Sequence, residues 1–344
     1  MSNKVVLGLS GGVDSAVAAL LLQQMAFDVE GLYLITCPGY EKGAEKAKEL
    51  ASQLNTPLTI TDIQKEFHQI IIQDFAQCYY AGETPSPCLD CNHLIKWEHM
   101  LRHADQIGAP FVATGHYARI IKTDQQGYEL HKGLDPQKDQ SYMLSRLTQY
   151  ELSRTILPLG EQNKINVRAI AQEYGLKIPK SEESQDLCFL QGTNYRDFLK
   201  TQFNFQEASG TVQLTDGTVI GEHQGLSNYT IGQRKGLPAY KHPLFVIEKR
   251  QSDNTLIVGA ADELGETRFM VRNLNWISGS PPKNTHQIET KIRYQAKPVL
   301  CDLTLWDDNR AEVQSHTTLR DITPGQFAVF YQDELVLGSG IISS

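Results

Sequence analysis

The sequence predicts an α/β chain. A doubly wound parallel sheet comes first, then a small β-rich unit, then a C-terminal antiparallel β-barrel. Three observations predict it. An apolar run, Val5 to Leu9, breaks at Ser10-Gly11-Gly12 and gives way to an Ala- and Leu-rich stretch, Ala16 to Met25; this is the pattern of a strand feeding a helix through a tight turn. Strand-like and helix-like runs then alternate as far as Thr114, and such alternation builds parallel βαβ units. From Phe203-Asn204-Phe205 the texture changes to short β-branched runs punctuated by Gly, Pro, Asn and Asp, the spacing of a small sandwich or barrel.

In chain order, Val29 to Ile35 reads as the second strand, Glu41 to Leu54 as an amphipathic helix of mixed charge, and Pro57 to Thr61 as the third strand. Glu66 to Tyr80 and Leu94 to Gly108 carry helical periodicity, and Pro110 to Thr114 is the next strand. Glu129 to Gln140 reads as a polar loop before a helix beginning near Ser141. Asn166 to Tyr174 is helical, and Gly175 ends it. The central unit shows strand-like runs at Thr211–Leu214, Thr218–Ile220, Leu244–Glu248 and Thr255–Val258. Six follow for the barrel: Phe269–Leu274, Ile288–Tyr294, Val299–Leu305, Ala311–Ser315, Gln326–Tyr331 and Leu335–Ile342. Unit boundaries are expected at 1–200, 201–266 and 267–344.

A chain of 344 residues, 40% hydrophobic and 21% charged, has the composition of a soluble multidomain protein. No apolar run approaches the roughly 18 residues that span a bilayer, and the opening Met1-Ser2-Asn3-Lys4 leads directly into a strand. A cytoplasmic protein is expected, with no membrane partner. The formal net charge of −8 gives no global basic signature, so any nucleic acid must be held by local patches. Six cysteines in a chain of this size argue for redox or metal chemistry at any clustered pair rather than a disulfide framework. The ten histidines show no HExxH spacing.

Three stretches carry chemistry. In Gly8-Leu9-Ser10-Gly11-Gly12-Val13-Asp14-Ser15 the glycines admit a ligand close to the backbone, and the helix start aims unpaired N–H groups at whatever lies over the turn. No Lys-Ser/Thr pair follows, so this is not the common NTPase loop. It resembles the pyrophosphatase loop (PP-loop) of adenylating enzymes that split ATP between the α and β phosphates. In that reading Asp14 helps hold Mg²⁺. The second stretch, Pro85-Ser86-Pro87-Cys88-Leu89-Asp90-Cys91-Asn92, puts Cys91 near a helix N-terminus, where the dipole favours thiolate. A lone CxxC has three readings: a redox dithiol, half a metal site, or chance. The third is Ser184-Gln185-Asp186-Leu187-Cys188-Phe189. Cys37, Cys78 and Cys301 fall in no motif and are expected to be structural.

Together these resemble the tRNA-uridine 2-sulfurtransferases, or tRNA-specific 2-thiouridylases. The resemblance extends through Ala113-Thr114-Gly115-His116-Tyr117-Ala118-Arg119, Lys138-Asp139-Gln140-Ser141-Tyr142, Tyr229 to Leu237, Arg293-Tyr294 and Pro324-Gly325-Gln326 with Phe330-Tyr331. It implies a PP-loop adenylation domain and ATP-dependent 2-thiolation of the wobble uridine, position 34. It also implies tRNA and a sulfur donor (a cysteine desulfurase or sulfur-relay protein) as partners. On the matching positions it implies an ATP site from Gly8 through Ser15 with Leu34 and Gly115, and catalytic Asp14, Cys91 and Cys188. Cys188 would carry a persulfide and Cys91 would release its sulfur, leaving a Cys91–Cys188 disulfide. Contacts to tRNA would come from His116, Lys138, Asp139, Gln140, Arg293, Tyr294 and Gln326. Many members carry Asp where this chain has Cys88, so a second route stays open: Cys88, Cys91 and Cys188 holding a [4Fe–4S] cluster with one open iron. An adenylating ligase for a small carbonyl, or a non-catalytic tRNA-binding or sulfur-carrier protein, would leave Cys91 and Cys188 or the intact glycine turn unexplained.

Overall fold

The computed structural model describes residues 3–124, 127–177, 187–307 and 309–343; Ser184, Gln185 and Asp186 of the third stretch lie outside them. β1 (Lys4–Gly8) carries Val5, Val6 and Leu7, all fully buried, because a central parallel strand is covered on both faces. β2 (Asp28–Ile35), β3 (Leu58–Asp62) and β4 (Phe111–Ala113) follow. A hairpin, β5 (Ala118–Thr123) and β6 (Gly127–Lys132), comes next, and then β7 (Thr155–Ile156). The parallel sheet has the order β3-β2-β1-β4-β7. Connections therefore leave β1 in one direction and β4 in the other. The crevice beyond the carboxyl ends of β1 and β4 is where such sheets bind ligands.

Helices cover both faces. α1 (Val13–Gln24) and α2 (Glu41–Gln53) follow β1 and β2. α3 (Gln64–Phe67) passes through a π-wound segment, His68–Ile72, into α4 (Gln73–Tyr80). α5 (Pro87–Asp90) passes through a second, Cys91–Trp97, into α6 (Glu98–Ile107). α7 (Gln149–Ser153) is closed by a Thr148–Glu151 capping box, and α8 (Lys164–Glu173) is capped by Asn163. On one face Val5 and Leu7 pack with Ala16, Val17 and Leu20 of α1 and Val167 of α8. On the other, Val6 and Val112 pack with Trp97, Met100 and Leu101. The helix expected near Ser141 is a single 3₁₀ turn, Ser141–Leu144. A further helix, α9 (Tyr195–Phe203), starts at the Asn194 cap and sends Phe198 against Phe75 of α4.

The central unit is a four-stranded sheet, β8 (Gly210–Leu214), β9 (Val219–His223), β10 (Phe245–Arg250) and β11 (Thr255–Gly259), ordered β10-β11-β8-β9 around Val212, Val246, Leu256 and Val258. The barrel comprises β12 (Glu266–Trp276), β13 (Ile288–Lys291), β14 (Val299–Asp307), β15 (Arg310–Leu319), β16 (Phe327–Gln332) and β17 (Leu335–Ser343), closed by β12 pairing with β17. Alternation drives it: Ala311, Val313 and Ser315 of β15 face inward while their neighbours do not.

One expectation fails here. Residues 129–132 are strand, not polar loop. Leu130 and His131 of β6 pair with Val336 and Leu335 of β17, so the hairpin extends the barrel's sheet although it lies in the N-terminal part of the chain. The physical reason is one-sided burial: Leu130 is fully buried in a cluster that also holds Val6, Trp97, Tyr142, Phe327 and Tyr331. Parallel sheet and barrel thus share one core. Among the described residues no helix is long and apolar enough to cross a membrane.

Candidate active site

Gly12 is the N-cap of α1 and offers no side-chain cap, so the N–H groups of the first turn keep their capacity for an anion. Gly11 sits at φ +80, and a Cβ there would stand 3.1 Å from that of Lys46; the turn is backed closely by α2. Ser15 Oγ donates to the Gly12 carbonyl at 3.0 Å, and the Ser10 and Ser15 hydroxyls lie 3.2 Å apart. The Asp14 carboxylate is held from two sides. Lys164 Nζ donates to both of its oxygens at 2.7 Å, and the Tyr117 hydroxyl donates to Oδ1 at 2.7 Å. Lys164 is the first residue of α8, an end at which the helix dipole disfavours a cation; Asp14 compensates it.

The loop after β4 closes against this turn. A Cβ on Gly115 would stand 2.8 Å from the Asp14 carbonyl carbon, so only glycine permits the approach. Thr114 Oγ1 and His116 Nδ1 are 2.8 Å apart, and the His116 ring lies 5.7 Å from that of Trp97. Burial pushes the imidazole down to about 3. His116 is therefore neutral and offers hydrogen bonds and a ring face, not charge.

The cysteines depart from expectation. Cys91 opens the π-wound segment, a full turn into the helix that starts at Pro87, and is buried; desolvation pushes its thiol up to about 11. The helix-dipole thiolate expected at Cys91 is not there, because burial outweighs the dipole. The lowered thiol is Cys188, to about 6. Hydrogen bonding toward Cys37 outweighs the effect of burial there, and the Lys96 ammonium, the Tyr40 hydroxyl and the Phe189 backbone add to the lowering. Cys301 is buried in the barrel core and Cys78 lies on α4. Cys37, expected to be structural, is buried in an apolar cluster against which Cys188 packs.

A single cavity of about 520 Å³ joins these parts, within the size range of small-molecule sites. Gly8, Leu9, Ser10, Asp14 and Ser15 line it, as do Leu34, Gly115, His116 and Gln140, together with Cys88, Cys91 and Cys188. Gly11, Gly12 and Val13 complete the turn. Asp14 is the carboxylate in that lining, and one carboxylate with substrate phosphates is the usual protein share of a Mg²⁺ site; the residues fit the ion. Cys88, Cys91 and Cys188, the residues expected for the iron–sulfur route, line this same cavity. Among the described residues no three His, Cys, Asp or Glu side chains are close enough together to hold a single metal ion, a spacing that a four-iron cluster does not require.

Most of the residues expected at tRNA are hydrogen-bonded within the protein, and two of those bonds, from Tyr294 to Asp139 and from Gln326 to Thr84, join the N-terminal part to the barrel. Asp139 Oδ1 accepts from the backbone N–H groups of Gly133 and Ser141 at 2.9 and 3.0 Å. Gln140 Oε1 accepts from the Tyr117 N–H at 3.0 Å, and Tyr294 donates to the Asp139 carbonyl at 3.0 Å. Arg293 donates to Thr323 at 2.7 Å, and Gln326 to the Thr84 carbonyl at 2.8 Å. Lys138 stands on a turn closed by its own N–H on Asp135. Arg234 and Lys235 are exposed. The sequence reading passed over Tyr117, Lys164, Cys37, Tyr40 and Lys96. Only Lys164 left a sequence signal, a lysine at a helix start.

The tRNA methyl transferase HUP domain matches residues 3–192, the tRNA methyl transferase PRC-barrel domain 196–260, and the Aminomethyltransferase beta-barrel domain 266–342. A tRNA-specific 2-thiouridylase MnmA from Geotalea uraniireducens is 39% identical over 355 residues, covering 98% of this chain and 94% of its own length. One from Desulfotalea psychrophila is 38% identical over 344 residues, with 99% of each chain covered. Among solved structures, the U34-tRNA thiolase NcsA from Methanococcus maripaludis with its [4Fe-4S] cluster aligns with a TM-score of 0.38 at 19% identity, over 59% of this chain and 68% of that one.

Proposed function

Because the chain belongs to the tRNA-specific 2-thiouridylase family, we propose that it replaces the 2-oxygen of the tRNA wobble uridine, position 34, with sulfur by adenylation followed by transfer from a Cys188 persulfide. It is an enzyme of tRNA thiolation and uses ATP. One observation carries the finer reading: the glycine turn and the cysteines line the same cavity.

ATP lies with its phosphates over the Ser10–Ser15 turn, where the α1 N-terminus and the Lys164 ammonium offset their charge. Mg²⁺, when bound beside Asp14, supplies further neutralisation at the pyrophosphate. The uridine 2-oxygen attacks the α-phosphorus and pyrophosphate leaves. That turns a poor leaving group into AMP. The Cys188 thiolate has meanwhile taken the outer sulfur of a donor persulfide, releasing the donor as a thiolate. The terminal persulfide sulfur attacks C2 and AMP departs. Cys91, kept protonated by burial until then, attacks Cys188 Sγ. The S–S bond breaks, 2-thiouridine is released, and a Cys91–Cys188 disulfide remains for a dithiol reductant to open. Closure of the site protects the adenylate from water.

The test is mass spectrometry of tRNA from cells lacking the protein, complemented with wild type or Cys188→Ser. Wobble 2-thiouridine should vanish in the deletion, return with wild type and stay absent with the variant. Its persistence in the deletion removes the substrate assignment, and its return with Cys188→Ser removes the persulfide step.

A further inference from the structure

The helix that carries two of the cysteines also brings a cation to the cavity. Cys88, Cys91, Lys96 and Met100 all line it, while Ile95 does not and is fully buried in a cluster with Phe67, Ile71 and Phe75. In an α-helix the residues stacked on Cys91 would be Leu94 and Ile95, three and four places on. The π-wound segment Cys91–Trp97 replaces that spacing with one of five residues, so it is Lys96 that follows Cys91 on the cavity face. Four residues further on, Met100 reaches the end of β1, where its sulfur would lie 3.3 Å from a Cβ on Gly8. One helix face thus has thiols at one end, the approach to the glycine turn at the other, and Lys96 between them.

Among the described residues lining the cavity, Lys96 is the only lysine or arginine and Asp14 the only carboxylate. Asp14 is held by Lys164, and His116 is neutral. A buried amide steers Lys96. Asn92, 3% exposed, donates to the Met143 carbonyl at 2.8 Å and accepts from Lys96 Nζ at 2.9 Å. An ammonium has three protons to donate, and Asn92 takes one. Among the described residues no carboxylate pairs with Lys96, so its charge is left for a ligand.

We propose that Lys96 is a catalytic residue for sulfur transfer: its ammonium donates to the phosphate of the adenylated uridine and stabilises the charge that AMP gains as it leaves. The charge balance singles out this step. In adenylation the α-phosphorus exchanges one substituted oxygen for another and keeps one negative charge, while the leaving charge goes to pyrophosphate, over the Ser10–Ser15 turn. In the transfer the incoming sulfur bonds to C2, the C2–O bond breaks, and its electron pair stays on the oxygen that AMP carries away. The phosphate becomes a monoester, and its charge goes from about −1 to about −2. The attacking sulfur loses its negative charge to the new C–S bond. Negative charge therefore moves from the thiol end of the helix face toward the nucleotide end, past Lys96. The inference rests on the thiolation reading, but not on whether a persulfide or a cluster delivers the sulfur, since either expels the same AMP.

The test separates the two half-reactions. Full-length enzyme in excess over tRNA is mixed with ATP, Mg²⁺ and sodium polysulfide, and one turnover is followed. Pyrophosphate reports adenylation; AMP and 2-thiouridine report transfer. Lys96→Met keeps the bulk and removes the charge. Its pyrophosphate should appear within about threefold of the wild-type rate, while AMP and 2-thiouridine slow by about 100-fold and adenylated tRNA accumulates. Lys96→Arg keeps a cation and should recover transfer to within about tenfold of wild type. Ethylammonium added to Lys96→Ala should restore transfer in proportion to its concentration, which a side chain needed only for packing would not allow. Where Met disturbs folding, judged by thermal melting, the Ala variant with and without the amine decides. Equal slowing of pyrophosphate and AMP, wild-type transfer in Met, or no response to the amine overturns the proposal. Wild-type enzyme that forms no 2-thiouridine, with or without pyrophosphate, would instead remove the thiolation reading.

Discussion

Gly115→Ala tests whether the two loops at the carboxyl ends of β1 and β4 form one site. A Cβ at 115 would stand 2.8 Å from the Asp14 carbonyl carbon and 3.0 Å from both the Asp14 oxygen and the Ser15 nitrogen. Reaching an ordinary 3.4 Å contact requires the loops to part by 3.4 − 2.8 = 0.6 Å. Every atom in the way is backbone, so no side chain can rotate aside. What moves is the first turn of α1, which presents Asp14 to Lys164 and the first-turn N–H groups to the phosphates. Misplacing a reacting group by about 1 Å costs on the order of 10²-fold, so a shift of this size should lower kcat/KM for ATP by about 10-fold or more. The assay is tRNA-dependent pyrophosphate release at varied ATP, with tRNA binding measured separately and expected to hold within about twofold. Gly12 is a useful contrast. A Cβ there meets nothing closer than Ser10 Oγ at 3.5 Å, so any loss in Gly12→Ala reports crowding of the ligand rather than of the protein. Wild-type pyrophosphate release by Gly115→Ala would refute the reasoning.

Lys164→Met removes the cation paired with Asp14 while keeping the side chain's bulk. Pyrophosphate release should slow by about tenfold or more, as for loss of one charge-stabilising donor, with tRNA binding unchanged; equal loss of tRNA binding would point to a merely structural ion pair. The pH dependence has a definite sign. Cys188 is lowered to about 6 and reacts as thiolate, so sulfur loading should hold from neutral pH upward and fall as pH drops through about 6; a limb near the ordinary thiol range, about 8.5, would contradict it. Leu130→Ala, at a fully buried hairpin position, should cost about 2–5 kcal/mol in denaturant unfolding. A cost under about 0.5 kcal/mol, the range of ordinary surface substitutions, would mean that β6 does not belong to the shared core.

Local signals were enough for β1, the glycine turn and α1, because a continuous apolar run, two glycines and an Ala-rich stretch each dictate their conformation without help. The barrel strands followed from period-2 alternation. The hairpin did not, since Glu129, His131 and Lys132 look polar until a partner buries Leu130 between them; the partner, β17, lies about 200 residues away in sequence. The π-wound segment at Cys91 was equally hidden. A strained helical turn has no composition of its own, and with it went the expectation of a dipole-lowered Cys91. For the site, proximity in sequence marked Cys88 and Cys91, yet Cys188 reaches the same cavity from a separate segment of the chain. Only Lys164 was in principle readable, because a lysine opening a helix is out of place unless an acid answers it.

The barrel's role follows from where it is fastened. Its Pro324-Gly325-Gln326 turn meets residues 83–85, the loop that leads into Cys88. The Thr84 N–H donates to the Pro324 carbonyl at 2.8 Å, Gln326 donates back to the Thr84 and Pro85 carbonyls at 2.8 and 3.2 Å, and Arg272 of β12 holds Glu83 at 2.6 and 2.7 Å. Gly325 sits at φ +90, and a Cβ there would stand 2.9 Å from Glu83 Cβ and the Thr84 nitrogen, so glycine is required twice over. Across the cavity, Tyr142 donates to the Phe327 carbonyl at 3.0 Å and Tyr294 to that of Asp139 at 3.0 Å. The cysteine loop and the 139–142 segment therefore both answer to the barrel, and neither can shift without breaking bonds to it. Asp139, Gln140 and Gln326 are thus occupied in stitching these loops together. Gln326→Ala should then depress sulfur transfer more than adenylation, because the Ser10–Ser15 turn is fastened to α8 and not to the barrel. Equal losses in pyrophosphate release and in 2-thiouridine formation would break that division.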